Sequence, residues 1–120
     1  MRPSFRKRGY THQWDRVAAD FKQRNFWCAC CLVAGIRSPT AVVDHIVPIV
    51  DAPQRLLDHT NLQPLCRDCH DTVKRTLEQQ WRAGKIKTAD LDLRSDAAYA
   101  LHRKLHRPAI GTDGYPIPGT

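Results

Sequence analysis

The sequence has no long apolar run. Its apolar runs are only a few residues long, such as residues 46–50 (IVPIV), and a membrane-spanning helix needs about 20. The N-terminal stretch MRPSFRKRGYTHQW is basic and has no apolar segment of the kind found in a secretory signal. We therefore expect no membrane partner and a cytoplasmic location, where paired cysteines bind metal more often than they oxidise.

Aromatic residues are also scarce, at 8% of 120 residues. A core this modest often relies on a metal or a disulfide to complete its stability, and the chain contains five cysteines. We expect one compact domain over residues 11–94 and a C-terminal helix over 95–107. A flexible basic arm over residues 1–10 and an extended or disordered tail rich in glycine and proline over 108–120 would flank them.

The net charge of +7 is unevenly distributed. Residues 1–27 hold seven Lys and Arg against two Asp, whereas residues 28–70 hold three Arg against four Asp, and residues 71–120 hold nine basic against six acidic side chains. A near-neutral centre between basic flanks suits a polyanion held at its edges and a divalent cation held between acids. Ordinary solubility charge is the alternative.

Residue patterns predict an α+β fold. Trp14, Val17, Ala18 and Phe21 are spaced to share one helical face after Thr11, and residues 26–35 (FWCACCLVAG) are predicted to form a cysteine-rich turn. Short β-strands are predicted over residues 41–47 and 62–65, a helix from Asp68 to a stop at Gly84, and a further helix beginning at Ser95.

Two CxxC pairs, Cys28 with Cys31 and Cys66 with Cys69, predict a structural zinc site. Two intervening residues allow both sulfurs to bind one tetrahedral ion, and four thiolates fill its coordination shell. Unrelated thiols or two disulfides are the alternatives. Cys30 is predicted to be a spare thiol, although a shifted pairing with Cys28 is conceivable.

Between and beside these pairs lie Asp44, His45, Asn61 and His70. Asp44 offers a hard oxygen ligand for a divalent ion, and neutral His45 is suited to take a proton from water. Because successive helical side chains diverge by about 100°, His70 would face away from the zinc that Cys69 binds. The remaining histidines, His12, His59, His102 and His106, are predicted to face solvent.

These motifs, namely the two CxxC pairs, DHIVP, NLQPLC and CH with a lysine beyond it, resemble the HNH endonuclease family, and particularly its small phage and prophage members with two CxxC knuckles. The resemblance covers about residues 14–74 and implies the ββα-metal fold, stapled by the cysteine site and flanked by N- and C-terminal helices. Residues 11–94 would then be the nuclease domain. One departure is that the loop before Asn61 lacks the glycines common in the family.

The resemblance also implies residue roles. Asp44 and His70 would bind a catalytic divalent cation such as Mg²⁺ or Mn²⁺, His45 would be the general base, and Asn61 would brace the loop and orient His45. The substrate would be DNA. Contacts to nucleic acid are predicted for five basic residues: Arg6, Lys7, Arg8, Lys74 and Arg75.

The family's phage members imply an association with terminase subunits during genome packaging. Two other functions stay open: a zinc-knuckle DNA-binding module without activity, and a packaging accessory that works through protein contacts.

Overall fold

A computed structural model describes residues 10–106 of the chain. The predicted tail, residues 108–120, and all of the predicted basic arm except Tyr10 lie outside the described residues.

The first helix, α1 (Tyr10–Arg24), carries its larger apolar residues on one face, as their spacing predicts. Phe21 is buried on that face. The helix ends at Arg24, and the next residue, Asn25, donates both its backbone N–H and its side-chain amide to the Phe21 carbonyl at 2.9 Å. This helix lies against the first strand of the sheet.

A short helix, α2 (Ala29–Val33), replaces the cysteine-rich turn expected from the sequence. Cys28 precedes it, and its sulfur accepts a hydrogen bond from the Cys31 N–H at 3.5 Å. Gly35 follows with φ of +79°, a left-handed conformation that glycine adopts without steric cost. The sulfur cap and the glycine explain why this turn closes into one helical segment.

The sheet is an antiparallel hairpin of β1 (Val42–His45) and β2 (Leu62–Leu65). Asp44 pairs with Gln63 and His45 with Leu62. β1 is shorter than the predicted strand over 41–47, because the Asn61 side chain takes over the hydrogen bonds of the Val47 backbone. Residues 46–61 form the β1–β2 loop, which contains two 3-10 turns, Pro53–Arg55 and His59–Asn61.

The predicted helix after β2 is interrupted. It comprises α3 (Arg67–Cys69), a π-helical segment (His70–Lys74) and α4 (Arg75–Arg82). Gly84, with φ of +74°, ends it as expected. Single π-helical turns within α-helices often occur at functional sites, and this one begins with His70.

After α4, a 3-10 turn (Thr88–Leu91) leads to α5 (Asp96–Leu105), which Ser95 caps by accepting the Ala98 N–H at 3.2 Å. Helix α5 packs against α2 and the π-helical segment. The core joins four cysteines to apolar residues from β2, the interrupted helix and the C-terminal part of the chain: Cys28, Cys30, Cys31, Cys69, Leu65, Val73, Leu77, Leu91, Leu93 and Ala98.

The helices around a two-stranded antiparallel sheet confirm the predicted α+β class. No helix within residues 10–106 is both long enough and apolar enough to cross a bilayer.

Candidate metal centre and active site

Four cysteine side chains converge where the two CxxC pairs meet. The sulfurs of Cys28, Cys31, Cys66 and Cys69 all lie within 4.8 Å of one another. The Cys31 sulfur is 3.9 Å from that of Cys66 and 3.6 Å from that of Cys69. A tetrahedron of sulfurs about 2.3 Å from a zinc ion has edges of roughly 3.8 Å. The four cysteines are therefore placed to hold one metal ion.

Each pair forms its half of the cluster in the same way. The first cysteine precedes a short helix and its sulfur accepts the N–H of the second, at 3.5 Å for Cys28 and Cys31 and at 3.4 Å for Cys66 and Cys69. An N–H group donating to sulfur stabilises its thiolate form. The CxxC spacing thus sets the sulfur geometry locally, and tertiary packing brings the two halves together.

The thiols of this cluster do not ionise alike. The hydrogen bond from Cys69 lowers the pKa of Cys28 to about 5. Burial raises the pKa of Cys31 to about 12, and hydrogen bonding with Cys28, together with Cys30 and burial, raises the pKa of Cys69. A bound metal would offset the repulsion among four thiolates at this spacing and so favour the ionised form of all four cysteines.

Cys30 and His102 lie directly behind the cluster. Cys30 is only 1% exposed, and its sulfur lies within 4.8 Å of the Cys69 sulfur and a His102 ring nitrogen. The prediction that His102 and His106 face solvent is wrong, because α5 folds over the cysteines. His102 is buried with Nε2 3.7 Å from the Cys31 sulfur, and His106 is half-buried, packed on His102 and paired with Asp68 at 3.0 Å. Burial lowers the pKa of His102.

Asp44 is buried at the middle of the hairpin, and its two carboxylate oxygens face different partners. Oδ2 accepts hydrogen bonds from Lys74 Nζ at 2.8 Å and Gln63 Nε2 at 2.9 Å. Oδ1 lies 3.7 Å from His70 Nε2. Because metal bonds to such atoms are about 2.1 Å long, two ligand atoms up to roughly 4.2 Å apart can share one ion.

His70 is oriented by its neighbour. Its Nδ1 lies 2.9 Å from Asp71 Oδ1, so Nδ1 carries the proton and Nε2 presents its lone pair toward Asp44. The His70 side chain is 38% exposed and lines an open cleft with Asp71, Lys74, Arg75 and Glu78. One carboxylate and one imidazole leave room on an ion for solvent and substrate oxygens.

His45 is the last residue of β1. Its ring contacts the β1–β2 loop and α1, whereas the Asp44 carboxylate contacts β2 and the interrupted helix. Its Nε2 lies 2.9 Å from the Leu56 carbonyl. Because a carbonyl only accepts, Nε2 carries the proton and Nδ1 is left as a proton acceptor. The ring stacks on Trp14 of α1, with centroids 4.6 Å apart and planes at 29°. The ring is thus held from two sides.

Asn61 is fully buried and closes the base of the β1–β2 loop. Its side-chain oxygen accepts the Val47 N–H at 2.9 Å, its amide donates to the Val47 carbonyl at 3.0 Å, and its own carbonyl accepts the Ile46 N–H at 2.8 Å. All of these contacts lie immediately after His45. The side chain is positioned to shape the backbone that carries His45.

The five residues predicted to contact nucleic acid are placed differently. Arg6, Lys7 and Arg8 lie outside the described residues. Arg75 is exposed beside the cleft. Lys74 is only 1% exposed, and its ammonium group contacts Asp44, Glu78 and the His45 carbonyl. Its contacts favour a role in holding the site over the predicted contact with phosphate.

Four side chains of the site were not among the site residues predicted from the sequence: Trp14, Gln63, Asp71 and Glu78. Asp71 directly follows His70, which was a weak signal for an orienting carboxylate. Gln63 faces Asp44 only because of the strand register. Trp14 reaches His45 from a separate helix. Such neighbours depend on tertiary contacts that spacing along the chain does not encode.

The residues of both sites lie in a segment that also matches a known protein family. Residues 28–76 match the family model described as HNH endonuclease. These residues, less than half of the chain, contain all four cysteines of the cluster together with Asp44, His45, Asn61 and His70. No curated protein and no solved structure shows a significant match to the chain. The geometry and the family match agree: the residues that form both sites lie in the segment over residues 28–76 that is similar to HNH endonucleases.

Proposed function

We propose that this protein is a metal-dependent endonuclease that hydrolyses DNA phosphodiester bonds. The observation that carries the proposal is the 3.7 Å approach of Asp44 Oδ1 to His70 Nε2, next to His45 in sequence and within the segment that matches the HNH family. A buried carboxylate and a half-exposed imidazole that lines an open cleft form a sparse cation site. Phosphoryl chemistry requires such a site, because water and phosphate oxygens need room.

In this proposal Asp44 and His70 hold a divalent cation such as Mg²⁺ or Mn²⁺. The carboxylate oxygen and the neutral imidazole suit such an ion. The ion, when bound, would stabilise negative charge on the phosphate and on the departing 3′ oxygen. The family resemblance implies products with a 5′ phosphate and a 3′ hydroxyl.

His45 is the proposed general base. Its Nε2 is engaged with the Leu56 carbonyl, so its Nδ1 accepts the proton from the attacking water. Asn61 supports this role by fixing the backbone of Val47, two residues later. Lys74 supports it too, because its ammonium group bonds both the His45 carbonyl and Asp44.

We assign the four-cysteine cluster to structural Zn²⁺. Thiolate ligands and a closed tetrahedral arrangement are typical of structural zinc. The cluster joins two parts of the chain. One part is α2, and the other is the end of β2 with α3, the helix that leads directly into His70. Zinc there would hold the start of the helix that aims His70 at Asp44.

DNA is the proposed substrate. The formal net charge of +7 favours a polyanion, and the exposed Arg75 lies on the rim of the cleft. The choice of DNA over RNA rests on the HNH family match.

The decisive experiment incubates the zinc-loaded protein with supercoiled plasmid and Mg²⁺ or Mn²⁺, with EDTA as the metal-free control. We expect nicked or linear products from the wild type. His45→Ala should reduce the rate by about 10²- to 10⁴-fold, the usual contribution of a general base. His12→Ala, which removes an exposed histidine of α1, is the matched control and should cut at the wild-type rate.

A His45→Ala protein that cuts as fast as wild type would remove His45 from the role. A wild-type chain that binds plasmid but never cuts it with any divalent ion would instead favour a DNA-binding module without activity.

A narrower proposal concerns the biological setting. The resemblance to small phage members supports a phage origin and action beside terminase subunits, in a host cytoplasm. Co-purification of the full chain with terminase subunits is the test. Ending the chain near Gly84 would be a poor comparison, because Leu91, Leu93 and Ala98 belong to the core.

A further inference from the structure

Gln63 links the proposed active site to a part of the chain outside the family-matched residues. It is fully buried and is the cross-strand partner of Asp44. Its Nε2 donates to Asp44 Oδ2 at 2.9 Å and to the Leu91 carbonyl at 3.2 Å, and its Oε1 accepts the Leu93 N–H at 2.8 Å. The side-chain amide is therefore bonded at both ends.

We infer that Gln63 is a positioning residue that ties the Asp44 carboxylate to residues 88–93 and so fixes which oxygen faces the cation. The inference rests on the proposed function. It makes residues 88–93 part of the nuclease machinery, although the family match ends at residue 76.

The carboxylate needs such a constraint, because the terminal torsion of an aspartate is broad and its two oxygens exchange by rotation. Here Lys74 and Gln63 both donate to Oδ2, which leaves Oδ1 directed at His70. The Lys74 ammonium group also contacts Glu78 and the His45 carbonyl. As a compact point charge, it has little directional preference. The planar Gln63 amide, held at its far end by the Leu93 N–H, supplies the direction.

The anchor for Gln63 is itself firmly held. Leu91 and Leu93 are fully buried in the core. The turn before them is fastened by a hydrogen bond from Trp81 Nε1 to Thr88 Oγ1 at 3.0 Å, and the Ser95 hydroxyl donates to the Asp90 carbonyl at 3.1 Å. A second layer of this kind, which orients a metal ligand without touching the metal, is typically worth about 10- to 100-fold in metal affinity or activity.

The test compares Gln63→Met with Thr40→Val in the full-length, zinc-loaded protein. Methionine has a similar length but makes none of the three hydrogen bonds. Thr40 is also buried, and Thr40→Val removes its hydrogen bond to the Asn25 carbonyl, which involves neither Asp44, Gln63 nor residues 88–93, so it controls for the loss of a buried hydrogen bond. Mn²⁺ is the probe, measured by calorimetric binding and by the Mn²⁺ concentration that gives half-maximal plasmid cleavage. His70→Ala defines the signal that belongs to the site.

We expect Gln63→Met to weaken Mn²⁺ binding and to raise the cleavage midpoint by about tenfold, with zinc content and the KM for DNA unchanged. Thr40→Val should leave both Mn²⁺ readouts at their wild-type values. A role confined to fold stability would move the thermal midpoint of both variants and the Mn²⁺ readouts of neither.

The outcomes separate the two proposals. If wild type neither cuts DNA nor shows Mn²⁺ binding that depends on His70, the proposed function fails. If wild type does both and Gln63→Met matches it, only the present inference is overturned. Should Gln63→Met fail to fold, Gln63→Glu at pH 8 keeps the size and the acceptor for Leu93 but removes the donor to Asp44. If neither variant folds, Gln63 serves the fold alone and the inference is overturned.

Discussion

The two proposed metal sites of this protein differ in almost every physical respect, although one helical segment passes from one to the other. The cysteine cluster offers four soft sulfurs, three of them at most 5% exposed. The Asp44–His70 site offers one oxygen and one nitrogen, with the histidine side chain 38% exposed. Cys69 and His70 are adjacent in the chain, yet they face different sites.

The comparison shows how the number of ligands decides what a metal would do. A metal ion with four protein ligands has no position left for substrate, so the free energy of metal binding stabilises the fold. A shell with two protein ligands contributes little to folding but leaves positions for water and phosphate. Substitutions at the two sites should therefore affect stability and cleavage differently.

Removing the structural metal should have the largest effect. Cys69→Ala should abolish binding of the structural ion and the cooperative thermal unfolding transition, because such sites carry on the order of 10 kcal/mol of folding free energy. Cys30→Ala is the matched control, since both residues are 1% exposed. It should keep one zinc ion and a cooperative transition. Metal analysis and circular dichroism measure both, and a Cys69→Ala protein that melts like wild type would refute the structural assignment.

His70→Ala should show the opposite pattern. The loss of a direct ligand should reduce plasmid cleavage by at least about 100-fold, since even the second layer around a metal is worth about 10- to 100-fold. Zinc content and the thermal midpoint should stay at wild-type values, because His70 lies on the rim of the cleft. Asp71→Ala, which only frees the ring from its orienting carboxylate, should lose about tenfold. Unimpaired cleavage by His70→Ala would place the catalytic cation elsewhere.

Trp14→Ala should give the smallest effect, a loss of up to about tenfold in kcat. The indole stacks on the His45 ring, and an aromatic pair of this kind contributes about 0.5–1.5 kcal/mol. Trp14→Phe keeps a ring in that place and should retain most of the activity. Single-turnover cleavage rates at saturating protein measure the difference. Equal rates for Trp14→Ala and wild type would show that the Leu56 carbonyl alone orients His45.

Much of the fold follows from local patterns. The apolar spacing of α1, the predicted strand over 62–65, the Ser95 cap and the Gly84 stop all appear in the structure. Predictions failed where side chains from distant parts of the chain intervened. β1 ends early because Asn61 takes the Val47 hydrogen bonds, and His102 is buried because α5 covers the cysteine cluster.

By itself the sequence determined which atoms are available for chemistry: eight side chains whose types and spacing suffice to indicate a closed thiolate site and a nearby acid–imidazole pair. Only the tertiary structure decided how those atoms are aimed. In the folded chain Asp44 Oδ1 rather than Oδ2 faces His70, and Lys74 is buried inside the site. Trp14 contacts His45, and residues 88–93 contact Gln63. The physical reason is that ligand spacing is a property of short chain segments, whereas orientation depends on hydrogen bonds and packing between segments far apart in sequence.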